Sequence, residues 1–133
     1  MIIYTTENEI VKLANENKSY ILEGNKMQTR DTLFFEISNK LKFPDYFGNN
    51  WDALDECLQD LEWIEDENIN IVIKDYGLIL HLDHSDEKTI FMSCIKDADE
   101  FWSSDGTKTI NFYISNKFLD NKMIDGDFSL GNN

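Results

Sequence analysis

The chain has 133 residues, of which 41% are hydrophobic and 13% aromatic, so it can bury the core of one domain. Twelve basic residues against twenty-six acidic ones give a formal net charge of −14. This charge disfavours direct binding to nucleic acid, because a polyanion repels phosphates. No apolar run is long enough to span a bilayer and no secretory leader opens the chain, which predicts a cytoplasmic protein with no membrane contact.

The first third of the chain predicts two strands and two helices. Residues 2–4 (IIY) could form a short strand, and residues 6–9 (TENE) match the capping box that begins a helix. Residues 19–23 (SYILE) are typical of a second strand. A second helix is predicted over residues 31–42 from its apolar period, and it ends before Pro44 because a residue that precedes proline is pushed out of the helical region.

The rest of the chain predicts two further helices and two further strands. A helix is expected over about residues 50–64, and another over residues 85–102. Residues 68–74 and 109–115 are rich in isoleucine at alternate positions, which is typical of buried strands. The apolar stripe of the last helix consists of Phe91, Cys94, Ile95, Ala98 and Trp102.

The order of these elements predicts the fold class. Strand, two helices, strand, helix, strand implies right-handed crossovers and a parallel sheet. We therefore predict one α/β domain over residues 1–133, with a small three-stranded parallel sheet packed with helices and a core at about residues 19–116. The residues on either side are expected to be short terminal additions, and residues 120–133 a partly disordered tail.

Several kinds of active site find little support in the sequence. There is no glycine-rich phosphate loop. Cys57 and Cys94 are expected to be buried free thiols, with a disulfide or a reactive site as the alternatives. His81, Asp83 and His84 form a cluster with metal-ligand chemistry, but an ordinary surface linker is the favoured interpretation. We expect no cofactor, no metal and no catalytic residue.

The predicted helix over residues 50–64 is the feature that points to function. Between Phe43 and Ile73 there are nine acidic residues and no Lys or Arg. On a helical wheel the acidic side chains lie opposite the apolar arc, and residues 52, 56 and 60 form a stripe. Like charges four residues apart destabilise a helix by roughly 0.2–0.5 kcal/mol. Solubility alone is the simpler interpretation, but a stripe of one sign suits a basic partner protein.

The segment just before this helix contains residue types that anchor protein interfaces. Tyr46 and Trp51 flank a turn through Gly48, where a missing side chain allows close approach of a partner or a positive φ. Trp51 lies at the border of the two arcs, so core packing is an equal alternative for it. Phe47 is expected in the core.

The stretch FPDYFGNNWDALDECLQDL, from Phe43 to Leu61, resembles the signature of the barstar family of ribonuclease inhibitors. The matching residues are Pro44, Tyr46, Gly48, Asn50, Asp52, Ala53, Leu54, Cys57 and Leu58. The resemblance implies a small parallel sheet flanked by helices, no catalytic activity, and a one-to-one complex in which the inhibitor occludes the active site of a ribonuclease.

The resemblance also implies a set of partner-binding residues. Carried over position by position, they are Tyr46, Asn50, Trp51, Asp52, Asp55 and Glu56, with Asp97 from the last helix by a loose alignment. The chain departs from the family pattern twice. Barstar itself has tryptophan at the position of Asp55, and aspartate at the position of Glu56. The longer glutamate reaches one methylene further, which implies a different docking depth or a different partner.

Three functions remain open at this stage. The first is a monomeric immunity-type inhibitor of a small basic ribonuclease, either a toxin or an intracellular enzyme. The second is a non-inhibitory acidic adaptor or regulator that binds another basic protein with the same fold. The third, a small enzyme that uses carboxylates or the linker with His81 and His84, lacks a nucleophile beside a base.

Overall fold

The computed structural model describes residues 1–16 and 19–115. The strands are β1 (Ile2–Thr5), β2 (Tyr20–Glu23), β3 (Asn68–Lys74) and β4 (Thr109–Ser115). The helices are α1 (Glu7–Glu16), α2 (Arg30–Lys40), α3 (Trp51–Leu58) and α4 (Ser85–Asp105). The strands form one parallel sheet in the order β1-β4-β3-β2, which confirms the α/β class.

The prediction of three strands is wrong, because β1 adds a fourth. It pairs in parallel with β4, from Ile2 opposite Phe112 to Thr5 opposite Ser115. Residues before Ser19 were expected to be only a terminal addition. Without β1, however, the outer side of β4 would present unpaired backbone N–H and C=O groups, and pairing with β1 satisfies them.

The two faces of the sheet are covered unequally. Three helices cover one face, where α2 packs on β2, α4 packs on β4, and α3 packs on α4. The alternate residues Ile69, Ile71 and Ile73 of β3 are buried in this main core. On the other face, within residues 1–16 and 19–115, α1 is the helix that lies against β3 and β4, with Ile10 and Val72 buried outside the main core.

The predicted bounds are most accurate for the elements with a strong apolar period. The predicted strands at residues 68–74 and 109–115 have the bounds of β3 and β4. The helix α4 runs three residues beyond the predicted end and stops at Gly106, whose φ of 76° suits a glycine. The predicted buried stripe is confirmed at Phe91, Cys94, Ile95, Ala98 and Trp102.

The acidic helix is shorter than predicted. α3 ends at Leu58, whose carbonyl oxygen accepts a hydrogen bond of 2.8 Å from the indole Nε1 of Trp102 on α4 instead of one from the next helical turn. Leu61 then takes a positive φ of 49°, which turns the chain out of the helix. Leu61 and Ile64 are nevertheless buried, so the apolar period that suggested a longer helix continues through a turn.

Some expectations fall outside the described residues. The tail predicted at residues 120–133 is one of them. Within residues 1–16 and 19–115, none of the helices combines the length and apolar character that a bilayer span requires.

Candidate functional site

The turn that leads into α3 is held by Asn50. This residue has an extended backbone, and its side-chain oxygen accepts a hydrogen bond of 2.8 Å from the backbone N–H of Ala53. Its amide nitrogen donates to the carbonyl of Gly48 at 3.3 Å. The side chain of Asn50 is therefore the N-cap of α3, and its hydrogen bonds fix the direction in which the helix starts.

The side chain of Trp51 lies half-buried at the start of α3. Its ring meets Phe34 edge-on with centroids 4.9 Å apart, and Phe91 lies 6.4 Å away. The indole Nε1 donates to a carboxylate oxygen of Glu87 at 3.3 Å, and the other oxygen of Glu87 accepts from Arg30 at 3.3 Å. Trp51 thus packs on the core, which was one of the two alternatives for this residue. One edge of its ring stays at the surface.

Tyr46 lines one groove together with two members of the acidic stripe, Glu56 and Asp60. Asp52 and Glu56 are exposed on α3, whereas Asp60 lies in the turn that follows the helix. The Tyr46 hydroxyl, on a side chain that is 71% exposed, donates to Asp60 at 3.5 Å. The groove, of about 200 Å³, is lined by Tyr46, Phe47, Ala53, Glu56, Cys57 and Asp60. Lost solvation and the charge of Asp60 raise the pKa of Tyr46, so its hydroxyl remains a donor at neutral pH.

Asp55 on α3 and Asp97 on α4 lie at the junction where these two helices pack together. Gln59 Nε2 donates to Asp55 Oδ2 at 3.1 Å. Desolvation raises the pKa of Asp55, and the hydrogen bond and charge of Asp97 raise it further, followed by the charge of Asp52. Asp97 also borders an open groove of about 540 Å³ with Gln59, Glu100, Phe101, Ser104 and Asp105.

Sequence reasoning placed the acidic side chains but missed their neighbours. Glu87, which holds the indole of Trp51, is 36 residues away in the chain, so no local pattern could indicate it. Gln59 lies one helical turn after Asp55 in the sequence, but no pattern identified it as the hydrogen-bond partner of Asp55. Phe101, which is 37% exposed beside Asp97, could have been found as an aromatic residue outside the apolar stripe of α4.

Both cysteines are buried and free, as predicted. Desolvation and the carboxylates of Asp60 and Glu56 raise the pKa of Cys57. Desolvation and the charges of neighbouring aspartates raise the pKa of Cys94 to about 12. Both thiols are therefore protonated at neutral pH and are poor nucleophiles.

The linker that contains both histidines has structural contacts. His84 Nδ1 accepts from the backbone N–H of Asp86 at 3.2 Å and caps α4. Asp83 accepts from the backbone N–H of Arg30 at 2.5 Å, and His81 lies 2.5 Å from the side-chain oxygen of Gln28. In the part of the chain that the structure describes, no three His, Cys, Asp or Glu side chains are grouped so that they could hold a metal ion.

Comparisons with known proteins agree with this architecture. A segment of 59 residues is 34% identical to a Bacillus subtilis (strain 168) protein named "Putative ribonuclease inhibitor YrdF". The aligned segment covers 44% of this chain and 62% of that relative, which is less than two thirds of its length. Residues 17–114 match the family described as Barstar (barnase inhibitor), so β1 and α1 precede the matched region. Because this match covers well over half of the 133 residues, the chain belongs to the Barstar family.

Proposed function

We propose that this protein inhibits a basic ribonuclease by covering its active site with an acidic surface on α3 and α4. The acidic surface consists of Tyr46, Asn50, Trp51, Asp52, Asp55, Glu56 and Asp97. One observation carries the proposal: within the described residues, no Lys or Arg forms an ion pair with a carboxylate of α3. The family's description and the relative's name, both of which refer to a nuclease inhibitor, support it.

The chemistry of a ribonuclease active site matches this surface. A ribonuclease must bind the phosphates of RNA, so its active site is cationic. Asp52 and Glu56 are exposed one helical turn apart, and they can imitate the charges of successive phosphates. Charges of opposite sign also accelerate the encounter of the two proteins, and this acceleration weakens with added salt.

The acidic surface is held in place before any partner arrives. Asn50 fixes the first turn of α3, and the indole of Trp102 holds the carbonyl at its last residue, Leu58. A preformed surface loses less conformational entropy on binding, which favours high affinity. In this proposal Asn50 and Trp51 hold the start of α3 and the edge of the acidic surface in position. Tyr46 and Glu56 contact the enzyme.

The remaining features of the proposal concern the complex and its setting. We propose a monomer that binds one ribonuclease molecule in the cytoplasm and so protects the cell from that enzyme. The role needs no catalytic group, cofactor or metal, and it involves no direct contact with nucleic acid.

The experiment that tests the proposal measures inhibition of barnase, the enzyme in the family's description. We expect tight inhibition that weakens as salt is added. Glu56→Ala should weaken binding by about 2–5 kcal/mol, because a buried cation of the enzyme loses its partner. The matched control is Glu9→Ala, which removes the same charge from an exposed position on α1, on the opposite face of the sheet. Equal affinities for the two variants would refute the assigned surface.

A second candidate function is an acidic adaptor or regulator of another basic protein. The observation that favours it is the carboxyl group of Asp55 at the position where the resemblance places tryptophan. Fold does not fix function, so the same surface can serve another partner. A protein that inhibits no ribonuclease, but binds a different basic protein through Glu56, would support this alternative.

A further inference from the structure

The outer side of β2 forms one edge of the sheet. The order β1-β4-β3-β2 gives β2 a single neighbouring strand, β3, along Tyr20–Glu23. On its other side an edge strand presents backbone N–H and C=O groups, and these can pair with a strand of another chain. Two such groups, the carbonyl of Ile21 and the N–H of Glu23, bond to side chains of α2 and therefore point away from β3.

Glu36 and Lys40, one turn apart on α2, are the partners of these two backbone groups. Lys40 Nζ donates to the carbonyl oxygen of Ile21 at 2.8 Å, and Glu36 Oε2 accepts from the backbone N–H of Glu23 at 3.1 Å. Lys40 also donates to the same oxygen of Glu36 at 3.1 Å, so the two side chains form an ion pair. Glu36 is buried, and a buried carboxylate is tolerated only when it is paired and hydrogen-bonded.

The ion pair has the hydrogen-bonding pattern of one residue in a fifth strand. In a parallel pair, a residue donates its N–H to a carbonyl of the neighbouring strand and accepts from the N–H two residues further along. Ile21 and Glu23 are two residues apart on β2. Lys40 supplies the donor and Glu36 the acceptor. The two side chains thus satisfy the groups that a strand residue opposite Leu22 would bond.

We propose that the Glu36–Lys40 ion pair closes the edge of β2, and that a second copy of this chain pairs with this edge once the ion pair is removed. Two copies related by a two-fold axis would pair their β2 strands antiparallel. In such a pair each bonded residue uses both its N–H and its C=O, so the carbonyl of Ile21 and the N–H of Glu23 are needed again. The ion pair therefore blocks parallel and antiparallel addition alike.

The first test measures the mass of the full-length protein in solution by sedimentation equilibrium over a range of concentrations. We expect the wild type to remain a monomer and the double variant Glu36→Ala/Lys40→Ala to approach twice the monomer mass as its concentration rises. Glu36→Gln is the matched control, because it removes the charge but keeps an acceptor for the N–H of Glu23, and it should remain a monomer. A folded double variant that stays monomeric, or a control that dimerises equally, would overturn the proposal.

Lys40→Met decides the question if circular dichroism shows that the double variant does not fold. This single substitution frees the carbonyl of Ile21 but leaves Glu36 on the N–H of Glu23. We expect a dimer that forms at higher concentration than that of a folded double variant, because only one of the two groups is opened. A Lys40→Met protein that stays monomeric at every concentration would then overturn the proposal.

The second test identifies the surface that associates, by hydrogen exchange at the backbone amide of Glu23. At low concentration this amide should exchange about tenfold faster in the dimerising variant Glu36→Ala/Lys40→Ala than in the wild type, because it has lost its acceptor. Its exchange should slow again as the dimer forms. Lys26→Ala removes a lysine that lies 3.6 Å from the side-chain carboxylate of Glu23 and should leave this exchange unchanged. A dimer in which the Glu23 amide stays unprotected would use another surface and would overturn the proposal.

Discussion

α2 and α3 pack on the same core but use their charges differently. In α2 the carboxylate of Glu36 is only 5% exposed, and it accepts hydrogen bonds of 3.1 Å from Lys40 and from the backbone N–H of Glu23. In α3 the carboxylates of Asp52 and Glu56 extend into solvent without an ion pair among the described residues. The buried carboxylate of Glu36 is thus neutralised within the chain, whereas those of Asp52 and Glu56 are left available to a partner.

Glu36→Ala should have the largest effect on stability. It leaves the partly buried backbone N–H of Glu23 without an acceptor and the ammonium of Lys40 without its nearest carboxylate. We expect the free energy of unfolding to fall by about 2–4 kcal/mol, measured by urea denaturation. Glu56→Ala, the same substitution in α3, should change stability by less than about 0.5 kcal/mol and affect binding instead. Similar stability losses in the two variants would contradict the comparison.

The next largest loss of stability is expected from substitutions at the C-terminal ends of the two helices. Trp102 donates to the carbonyl of Leu58 at the end of α3, and Trp63 donates to that of Leu41 just after α2, both at 2.8 Å. Trp102→Phe should cost about 1–3 kcal/mol of stability, because the Leu58 carbonyl is buried. Trp63→Phe should cost less, because its bond is only partly buried. Thermal unfolding and barnase affinity should be measured together, since we expect only the Trp102 variant to weaken binding.

The N-cap residues of α2 and α3 should affect stability alike but binding differently. Asn50→Ala should lower the unfolding free energy by about 1 kcal/mol, because the N–H of Ala53 loses its acceptor. Thr29→Ala removes the corresponding cap of α2, where the hydroxyl accepts from Thr32 at 3.2 Å, and should cost a similar amount. Only the Asn50 variant should lose affinity, and Asn50→Asp, which keeps an acceptor, should retain it. A loss of affinity in the Thr29 variant would show that α2 also shapes the acidic surface.

The smallest change in stability is expected for a substitution at Asp55. Unlike the preceding variants, this one should stabilise the protein. Because the folded protein raises the pKa of Asp55, the wild type becomes more stable as the pH falls through that pKa. Asp55→Asn does not titrate, so it should be more stable than the wild type at neutral pH by roughly 0.5 kcal/mol, with the difference vanishing in acid. Urea denaturation at several pH values measures this. A variant that is less stable than the wild type at neutral pH would contradict the account of this junction.

Local periodicity explains which parts of the fold could be predicted from the sequence. The alternating isoleucines of β3 and the apolar stripe of α4 determine their elements with little help from elsewhere. The end of α3 could not be predicted, because the apolar period continues to Ile64 and the partner of the last helical carbonyl, Trp102, lies 44 residues further along the chain. The pairing of β1 with β4 was missed for the same reason, since it joins residues more than a hundred positions apart.

The candidate site also has features that could be predicted from the sequence and features that could not. The outward direction of Asp52 and Glu56 follows from a helical wheel and could be predicted. The effect of Asp97 on the pKa of Asp55 could not be predicted, because it requires the packing of α3 on α4. Sequence patterns therefore predict which carboxylates are exposed, but not which of them share an environment.

The hydrogen bond from Trp102 to Leu58 has a consequence for how partner choice can change over generations. It ties the end of α3 to a buried residue of α4, so the position of the acidic helix depends on packing inside the protein. A substitution beneath α4 can therefore redirect Asp52 and Glu56 without altering any residue that touches a partner. Two relatives with the same surface charges can in this way recognise different enzymes, because their interiors hold the same side chains at different angles.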